Sequence, residues 1–314
     1  MRILSHIPHN AEVDFERLDE PITPASAFFK RNHYDAPESS GEWFLAVNGR
    51  RVSLSELRKL PFRRLEATIE CAGNGRTLLN PVPPGTPWRL GAVSNGVWGG
   101  TSLRNVLSDV QGLEVIFQGA DQGHDGRGAY ARSLTLGQAM HEDVLLCWEM
   151  NDHPLPREHG GPLRLVVPGQ YGMASVKWLC RIDLASSPYE GYYQREDYQI
   201  HIPGQSSRPV GAVRPRALIV RSSATEVSGW AWSGTGPVVE VEVLVGEKRL
   251  RAELAPDRGP YAWRRFRCPL QLEPGRHLVR AVARDAAGNV QPLDPFWNEH
   301  GYENNCAEEH VLEV

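Results

Sequence analysis

The sequence predicts an α+β protein in which a mixed α/β domain is followed by a β-sandwich. The 314 residues are long enough for two compact domains. Up to about residue 200, short strand-like segments alternate with helical ones and with loops rich in Gly and Pro. From Ala217 onward, apolar and polar residues alternate between closely spaced turns, as in antiparallel strands. These features predict one domain over residues 1–205 and a second over residues 206–314.

Three short segments of the first part carry helix signals. SLSELRKL begins with Ser53 and has Glu56 three residues later, which is the spacing of a capping box. LTLGQAM, near Leu134, is a second short helix candidate. GTSLRNVLSDV has apolar residues at helical spacing, namely Leu103, Val106, Leu107 and Val110. We expect short helices at these three places.

Strands are predicted for EVIFQGAD, DVLLCWEM and LRLVVPG, which are short apolar runs bounded by turn residues. LEATIECAGNGR, Leu65 to Arg76, also begins as a strand and then reaches Cys71. The core of this part is therefore expected to be drawn from many short pieces of both kinds.

A linker and a sandwich are predicted for the rest of the chain. QIHIPGQSSRPVGAVRPRA, from Gln199 to Ala217, is rich in Pro, Gly, Ser and Arg. The segments after it, such as VVEVEVLVGEKRLRAEL and HLVRAVARDAAGN, predict about seven strands in the pattern of an immunoglobulin-like sandwich. They lack the paired cysteines of antibody domains. Because this architecture has many uses, it does not by itself indicate a chemistry.

Charge and hydropathy exclude several classes of partner. A formal net charge of −4 with mixed signs gives no basic field that would favour nucleic acid or an anionic membrane. No run approaches the roughly 18 apolar residues that span a bilayer, and the first residues lack the apolar core of a secretory signal. We expect a cytoplasmic protein, or a periplasmic one if an export signal has been removed.

The cysteines are expected to be mostly lone thiols. There are five, an odd number, and no CxxC pair or zinc-type cluster occurs, which excludes a complete disulfide framework. Cys147 and Cys180 lie in apolar runs and are expected to be small buried side chains. Cys306 is expected in a surface loop. Only Cys71 has neighbours that suggest a chemical role.

Several catalytic and cofactor signatures are missing. The sequence has no GxSxG nucleophile elbow, no HExxH zinc motif, no Gly-rich phosphate loop before a helix and no CxxCH haem attachment site. If the protein transfers electrons, its acceptor is therefore another molecule.

ECAGNGR allows two interpretations. Gly73 and Gly75 could permit a tight turn that needs unusual backbone angles. They could instead let a bulky ligand approach the backbone, with the Cys71 thiol facing it. In that case Arg76 would lower the pKa of the thiol and favour the thiolate, the form that binds a metal. The stretch alone does not decide between the two.

Other unusual strings occur in one order along the chain: FFKRNH, ECAGNGR, SNGVWGGTSL, HGGPLRLVVPG and SVKWL. In this order and spacing the sequence resembles the sulfite oxidase family of molybdenum enzymes. The resemblance covers nearly the whole chain, and the predicted sandwich is similar to the dimerisation domain of that family. It implies a mixed α/β molybdopterin-binding catalytic domain over residues 1–205 and an immunoglobulin-like dimerisation domain over 206–314.

The resemblance implies a pyranopterin dithiolene that holds molybdenum, with Cys71 as the protein ligand of the metal. A thiolate is a soft ligand that suits such a metal. The resemblance further implies that the cofactor is bound by Phe29, Lys30, Arg31, Asn32, His33, Asp121, His159, Arg164, Ser175, Val176 and Lys177. Arg and Lys suit a phosphate, whereas Asp and His suit the donors and acceptors of pterin rings.

The resemblance also implies a small oxyanion site that contains Arg31, Arg76, Trp88 and Tyr198. Convergent cationic donors bind such an anion by charge-assisted hydrogen bonds. Two departures from the family reduce the positive charge of this site. His300 stands where animal sulfite oxidases carry a further pocket arginine, and Gly75 stands where the animal and plant enzymes carry an arginine beside Arg76. The imidazole of His300 could make activity depend on pH.

The implied activity is the oxidation of sulfite to sulfate by a homodimer, with electrons passed to a separate acceptor such as a cytochrome c. His300 keeps a sulfane dehydrogenase and a sulfoxide or nitrate reductase of the same family open as alternatives. A non-catalytic assembly module is an alternative of another class, but it would not need Arg31, Cys71, Arg164 and Lys177 in the order of the family. The electron acceptor and any nucleotide on the cofactor stay open.

Overall fold

The computed structural model describes residues 1–38, 41–107, 110–123 and 126–314, without the side chain of Glu16. Within these residues the fold is built mainly from strands, so the predicted mixture of α and β is shifted strongly toward β. The α-helices are two single turns, Leu54–Leu57 and Leu136–Ala139. The other turns are 3-10 segments at Phe15–Asp19, Arg76–Leu78, Leu103–Asn105, Arg157–His159 and Gly172–Ala174, and a π turn at Tyr193–Asp197. None of the described helices is long and apolar enough to cross a membrane.

Two of the three predicted helices are confirmed, and one is wrong. Ser53 and Glu56 form the predicted capping box at Leu54–Leu57. A second capping box, between Thr135 and Gln138, begins Leu136–Ala139 within LTLGQAM. GTSLRNVLSDV forms instead the end of a strand and a 3-10 turn, and residues 108–109 lie outside the described residues. Apolar spacing over so few residues also fits a single turn whose apolar side chains point inward.

The first five-stranded sheet carries the strand that ends at Cys71. Its strands are Phe62–Glu70, Val93–Ser102, Leu145–Met150, His153–Pro154 and Arg164–Val166. Phe62–Glu70 pairs with Val93–Ser102, of which all 10 residues are buried. Gly100 is required there because a Cβ would lie 2.0 Å from the carbonyl oxygen of Leu146 on the neighbouring strand. This buried pairing carries Cys71 into the interior.

The second five-stranded sheet lies across the same core. Its strands are Phe44–Val47, Arg50–Ser53, Glu114–Gln122, Ala129–Thr135 and Leu179–Ala185. Every pairing is antiparallel except that of Leu179–Ala185 with Phe44–Val47. The strands predicted for EVIFQGAD, DVLLCWEM and LRLVVPG are thus confirmed. Side chains of both sheets, such as Trp98 and Phe117, share one hydrophobic core.

Two four-stranded antiparallel sheets follow, where about seven strands were predicted. One contains Arg216–Ser222, Glu226–Trp232, Glu253–Leu254 and Arg264–Pro269. The other contains Val238–Val245, Lys248–Arg251, Arg276–Asp285 and His310–Glu313. Side chains from both sheets, including Ile219, Phe266, Val241 and Val279, form a second hydrophobic core. The two sheets therefore pack as a sandwich.

The sandwich is joined to the first part by tryptophans rather than by a loose connection. Trp230, Trp232 and Trp263 belong to the hydrophobic core of the first part. The indole N–H of Trp232 donates to Glu70, the last residue of the strand before Cys71 (2.8 Å). Within the predicted linker, Gln199–Ile200 pairs with Arg208–Pro209 in a small hairpin. These contacts bring the sandwich directly beneath the cysteine loop.

Residues 292–307, which we call the return segment, run from the sandwich back to the first part. The backbone N–H of Glu303 donates to the carbonyl of Ala72 (2.9 Å), and the Asn304 amide donates to the carbonyl of Gly75 (2.8 Å). Residues beyond 206 thus contribute to the first part, and the division at residue 205 stays a prediction. Cys306 of this segment is buried, so the expected surface-loop position is wrong. All five cysteines are free, as predicted.

Candidate active site

Two cavities meet at Cys71. The inner cavity is lined by ten of the predicted cofactor residues: Phe29, Arg31, Asn32, His33, Cys71, Asp121, His159, Arg164, Ser175 and Lys177. The outer chamber is lined by all the predicted catalytic residues: Arg31, Arg76, Trp88, Tyr198 and His300. Arg31, Cys71 and Tyr198 line both cavities. The fold therefore brings the two predicted sets together around one thiol.

Two predicted cofactor residues lie elsewhere. The ammonium of Lys30 pairs with Glu158 (2.9 Å), and its backbone bonds with Ala11, so the side chain is not part of the inner lining. Val176 is fully buried, and its carbonyl accepts a hydrogen bond from Leu165 (2.8 Å). A direct role of either residue toward a cofactor stays a prediction.

Cys71 is fixed by its backbone at the end of the strand. Its N–H donates to the carbonyl of Ala92, and its carbonyl accepts from Asn74 (both 2.9 Å). Burial raises the pKa of the Cys71 thiol, and the opposing effect of Arg31, which exceeds that of Arg76, does not cancel it. The cationic neighbours thus act in the expected direction, but burial outweighs them, so the thiolate is not favoured in the protein alone. No group of three or more His, Cys, Asp or Glu in the described residues could hold a metal ion.

The glycines of ECAGNGR serve an arginine and the return segment. A Cβ on Gly73 would lie 2.7 Å from a terminal nitrogen of Arg76. Gly75 has φ +82°, which favours glycine, and faces Asn304 and Arg216. The interpretation that both glycines leave room for a cofactor is therefore wrong, because the space they leave is filled by protein side chains.

The cations of the inner cavity are held by neutral groups. Lys177 donates to the amide oxygen of Asn32 (2.7 Å) and to the carbonyl of Glu158 (3.0 Å). Arg164 donates to the carbonyls of His159 (2.8 Å) and Ser175 (3.1 Å). Burial, followed by repulsion from Arg164, holds the pKa of Lys177 well below its usual range. Burial also lowers the pKa of Arg164 to about 10. Neither cation has a carboxylate ion partner among the described residues.

Asp121 and His159 present unused acceptors in the same cavity. One carboxylate oxygen of Asp121 is buried with no hydrogen-bond partner in the described part of the chain. Burial raises the pKa of Asp121 to about 7. The Nε2 of His159 lies 2.7 Å from the carbonyl of Ala25, and burial lowers the pKa of this imidazole to about 3. Because Nε2 must then carry the proton, Nδ1 of His159 is an acceptor, and it has no hydrogen-bond donor among the described residues.

Arg31, His33 and Tyr198 form one hydrogen-bonded cluster. One terminal nitrogen of Arg31 lies 3.2 Å from Nδ1 and 3.4 Å from Nε2 of His33, and Nε2 lies 2.8 Å from the Tyr198 oxygen. Burial holds the pKa of His33 well below its usual value and raises that of Tyr198, so both groups are neutral. Which of Nε2 and the hydroxyl donates to the other depends on the tautomer of the ring.

The outer chamber places Arg76 under the return segment. Its Nε donates to the carbonyl of His300 (3.0 Å), and one terminal nitrogen donates to the carbonyl of Thr86 (2.7 Å). The other terminal nitrogen has no hydrogen-bond partner among the described residues and is available to an anion. Trp88, which is 1% exposed, lines the chamber beside it. His300 faces the chamber, and burial, followed by repulsion from His201, lowers its pKa.

Tyr302 and Asp197 are among the five residues of the outer chamber that were not predicted. Tyr302 stacks on Tyr198, with ring centres 5.3 Å apart, and its hydroxyl donates to Asp197 (2.8 Å). Asp197 and Tyr302 both line the chamber. Asp197 ends the π turn Tyr193–Asp197, a rare conformation that is common at functional sites. The sequence offered one signal for them: Asp197 directly precedes the predicted Tyr198, and Tyr302 lies two residues after the predicted His300.

A family model described as an oxidoreductase molybdopterin binding domain matches residues 33–193 of this chain. The matched span contains Cys71, Asp121 and Lys177, and it ends before Tyr198. Most of the inner cavity therefore lies within the family model, whereas the Tyr198 and His300 walls of the outer chamber lie beyond it.

Similar proteins cover nearly the whole chain. The sulfite oxidase of Gallus gallus is 36% identical over 96% of this chain and 75% of its own length. The mitochondrial sulfite oxidase of Mus musculus is 34% identical over 98% of this chain, which spans 64% of that protein. A solved structure, the sulfane dehydrogenase SoxCD from Paracoccus pantotrophus, superposes with a TM-score of 0.87 at 25% identity and covers 98% of this chain and 85% of its own.

Proposed function

The chain belongs to the sulfite oxidase family of molybdopterin-dependent oxidoreductases, and from this premise we propose that it oxidises sulfite to sulfate. The observation that carries the proposal is the outer chamber, which places Arg31, Arg76 and the Tyr198 hydroxyl beside Cys71. Sulfite and water give sulfate, two protons and two electrons. The electrons pass to a separate acceptor, for which a cytochrome c is the candidate.

The inner cavity fits the molybdenum-molybdopterin cofactor of this family. The unpaired oxygen of Asp121 and the cations Arg164 and Lys177 are buried without ion partners among the described residues. Such groups cost free energy unless a ligand satisfies them. A phosphate can take the cations, and pterin N–H groups can take the acceptors of Asp121 and His159. Cys71 would supply the thiolate for the metal.

When bound, the cofactor supplies the two-electron redox chemistry. The chain's own residues bind and orient the anion. Arg31 and Arg76 donate charge-assisted hydrogen bonds to its oxygens, and these bonds are strong because both arginines lie in a site that excludes most water. Tyr198 places a neutral hydroxyl, hydrogen-bonded to Nε2 of His33, beside the anion. Trp88 closes one wall of the chamber and limits the size of the anion.

The assay that tests this function is sulfite-dependent reduction of ferricyanide by molybdenum-loaded protein. We expect turnover in the wild type and a loss of more than about 100-fold in Cys71→Ser, because the loss of outer partners alone costs a metal site about 10–100-fold. Cys180→Ser, at a half-buried thiol outside both cavities, is the matched control and should retain activity. Absence of sulfite turnover in wild-type protein of full molybdenum content would contradict the proposal.

A sulfane dehydrogenase is the second candidate. It is favoured by the fold of the sulfane dehydrogenase neighbour and by His300, which adds no full charge to the chamber near neutral pH. The two candidates differ in substrate, so the same ferricyanide assay with a sulfane sulfur donor in place of sulfite separates them. A reductase of the nitrate type has weaker support, from a nitrate reductase of Phaseolus vulgaris that is 29% identical over 41% of its own length.

Three finer features belong to the same proposal. The sandwich is taken as immunoglobulin-like and as the dimerisation domain, on the support of its two packed antiparallel sheets. The protein is taken as a homodimer, which sedimentation equilibrium would test. It is taken as cytoplasmic, or periplasmic if an export signal has been removed, which fractionation of cells that produce it would test.

A further inference from the structure

A carboxylate faces the anion in the outer chamber. Among the described residues that line this chamber, Asp197 is the one Asp or Glu, and it shares the lining with Arg31 and Arg76. A carboxylate there opposes the binding of any anion by Coulomb repulsion. Its presence in a chamber that binds oxyanions therefore needs a reason.

The charge of Asp197 is not cancelled by an ion pair. Its hydrogen-bond donor is the neutral hydroxyl of Tyr302 (2.8 Å). The nearest ring nitrogen, Nε2 of His33, lies 3.8 Å away, and burial keeps the pKa of that imidazole well below its usual value. No ion pair joins Asp197 to Arg31 or Arg76 in the described part of the chain. The carboxylate charge thus acts on whatever occupies the chamber.

The protein charges of the chamber nearly balance. Arg31 and Arg76 contribute two positive charges and Asp197 contributes one negative charge, whereas His300 is mostly neutral near pH 8 because its pKa is lowered. In the metal-loaded protein the thiolate of Cys71, which lines the same chamber, adds a second negative charge. The chamber therefore offers little net attraction to a doubly charged anion.

We propose that Asp197 is a specificity-determining residue that makes the outer chamber disfavour doubly charged oxyanions, so that the sulfate dianion is released. This inference rests on the proposed function. The Coulomb energy between Asp197 and a bound anion doubles when the anion's charge doubles. The product sulfate carries two charges, whereas sulfite near neutral pH carries one or two. Asp197 therefore disfavours sulfate as much as it disfavours doubly charged sulfite. It disfavours sulfate about twice as strongly, in free energy, as it disfavours singly charged sulfite.

The test compares two anions of similar shape, sulfate and methanesulfonate, which carry two charges and one charge. Their dissociation constants are measured by titration calorimetry on molybdenum-loaded protein at pH 8 and constant ionic strength. In Asp197→Asn we expect sulfate to bind about tenfold tighter and methanesulfonate about threefold tighter. Tenfold corresponds to ~1.4 kcal/mol. Glu299→Gln removes an exposed carboxylate beside His300 and should leave the ratio of the two constants unchanged.

A second variant acts in the opposite direction. Tyr302→Phe keeps the aromatic ring and the carboxylate but removes the hydroxyl that donates to Asp197. The carboxylate of Asp197 then loses the hydrogen bond that offsets part of its negative charge. We therefore expect sulfate to bind about two- to threefold weaker. This variant decides the question if Asp197→Asn does not fold or does not load molybdenum.

An unchanged ratio in Asp197→Asn would overturn the inference, and so would tighter sulfate binding in Tyr302→Phe. Binding of sulfate needs no turnover, so the two proposals fail separately. If the ratio shifts as expected but the wild type does not oxidise sulfite, the proposed function falls and the charge selection by Asp197 stands. If sulfite is oxidised and the ratio does not shift, the role of Asp197 falls alone.

Discussion

The inner cavity and the outer chamber share Cys71 but are built on different principles. Polar groups of the inner cavity, such as Arg164 and His159, are fixed by backbone carbonyls of the strand scaffold. The outer chamber is assembled from distant segments, and Arg76 is fixed by the carbonyl of His300 in the return segment. On the proposed roles, recognition of the cofactor is therefore part of the sheet framework, whereas recognition of the substrate depends on the return segment.

Among these variants, Arg76→Gln should show the largest effect on the outer chamber without an effect on the inner cavity. Loss of a buried charge partner of an anion typically costs several kcal/mol, so we expect KM for sulfite to rise about 100-fold. Molybdenum content should not change, because Arg76 does not line the inner cavity. Steady-state kinetics and metal analysis measure the two quantities. Arg89→Gln, at an exposed arginine nearby, is the control, and an equal loss of metal and activity in Arg76→Gln would contradict the separation.

Asp121→Asn should affect the inner cavity instead. We expect cofactor content to fall about tenfold with KM of the loaded fraction unchanged, because one acceptor of the pterin is lost. The pKa of Asp121 is raised to about 7, so its carboxylate forms above that pH. Retention of the cofactor in the wild type should therefore weaken as pH falls through 7, and the variant should lack this dependence. Fluorescence of the released pterin measures retention, and a pH dependence that survives in the variant would assign it to another group.

Glu303→Gln tests the anchoring of the return segment. Its buried carboxylate accepts from Arg208 (2.7 Å), from Arg214 (2.9 Å) and from the N–H of Gly211 (2.8 Å). We expect the free energy of unfolding to fall by ~2 kcal/mol, and KM to rise about fivefold as the outer wall loosens. Chemical denaturation and kinetics measure these changes. The control Glu299→Gln should change neither quantity. If Glu303→Gln lowers the stability but leaves KM unaltered, the outer chamber does not depend on the hydrogen bonds of Glu303.

The smallest effect is expected from His300→Arg. His300 gains a proton, and with it affinity for an anion, only below its lowered pKa, so affinity is lost as pH rises through that value. A permanent charge should lower KM about threefold at pH 8, and this effect should shrink as the pH falls through the lowered pKa of His300. The pH profile of KM measures the difference. An effect that stays constant over the whole profile would show that protonation of His300 does not control binding.

The inner cavity was predictable because its residues occur in compact strings. FFKRNH contributes Phe29, Arg31, Asn32 and His33, and SVKWL contributes Ser175 and Lys177. The order of these strings along the chain, which is that of the sulfite oxidase family, was enough to predict the family from the sequence alone. The strings could not predict the pKa of the Cys71 thiol, because burial raises this pKa more than the neighbouring cations lower it.

The outer chamber was only partly predictable. Tyr302 and Asp197 touch each other although they are far apart in the sequence, and no periodicity links them. The pattern around Leu103 was misread for a related reason: apolar spacing records which side chains are buried, but not whether the backbone makes one turn or three. Burial of Cys306 depends likewise on the path of the return segment, which composition does not specify.

The return segment also has a consequence for the order of synthesis. The residues that line the inner cavity leave the ribosome by Tyr198, whereas Tyr302 and His300 emerge only after the sandwich strands. Domains generally fold as units as the chain is made. The nascent protein thus carries every residue that lines the inner cavity before it carries the last residues of the outer chamber. Discrimination among anions is the last property that the growing chain acquires.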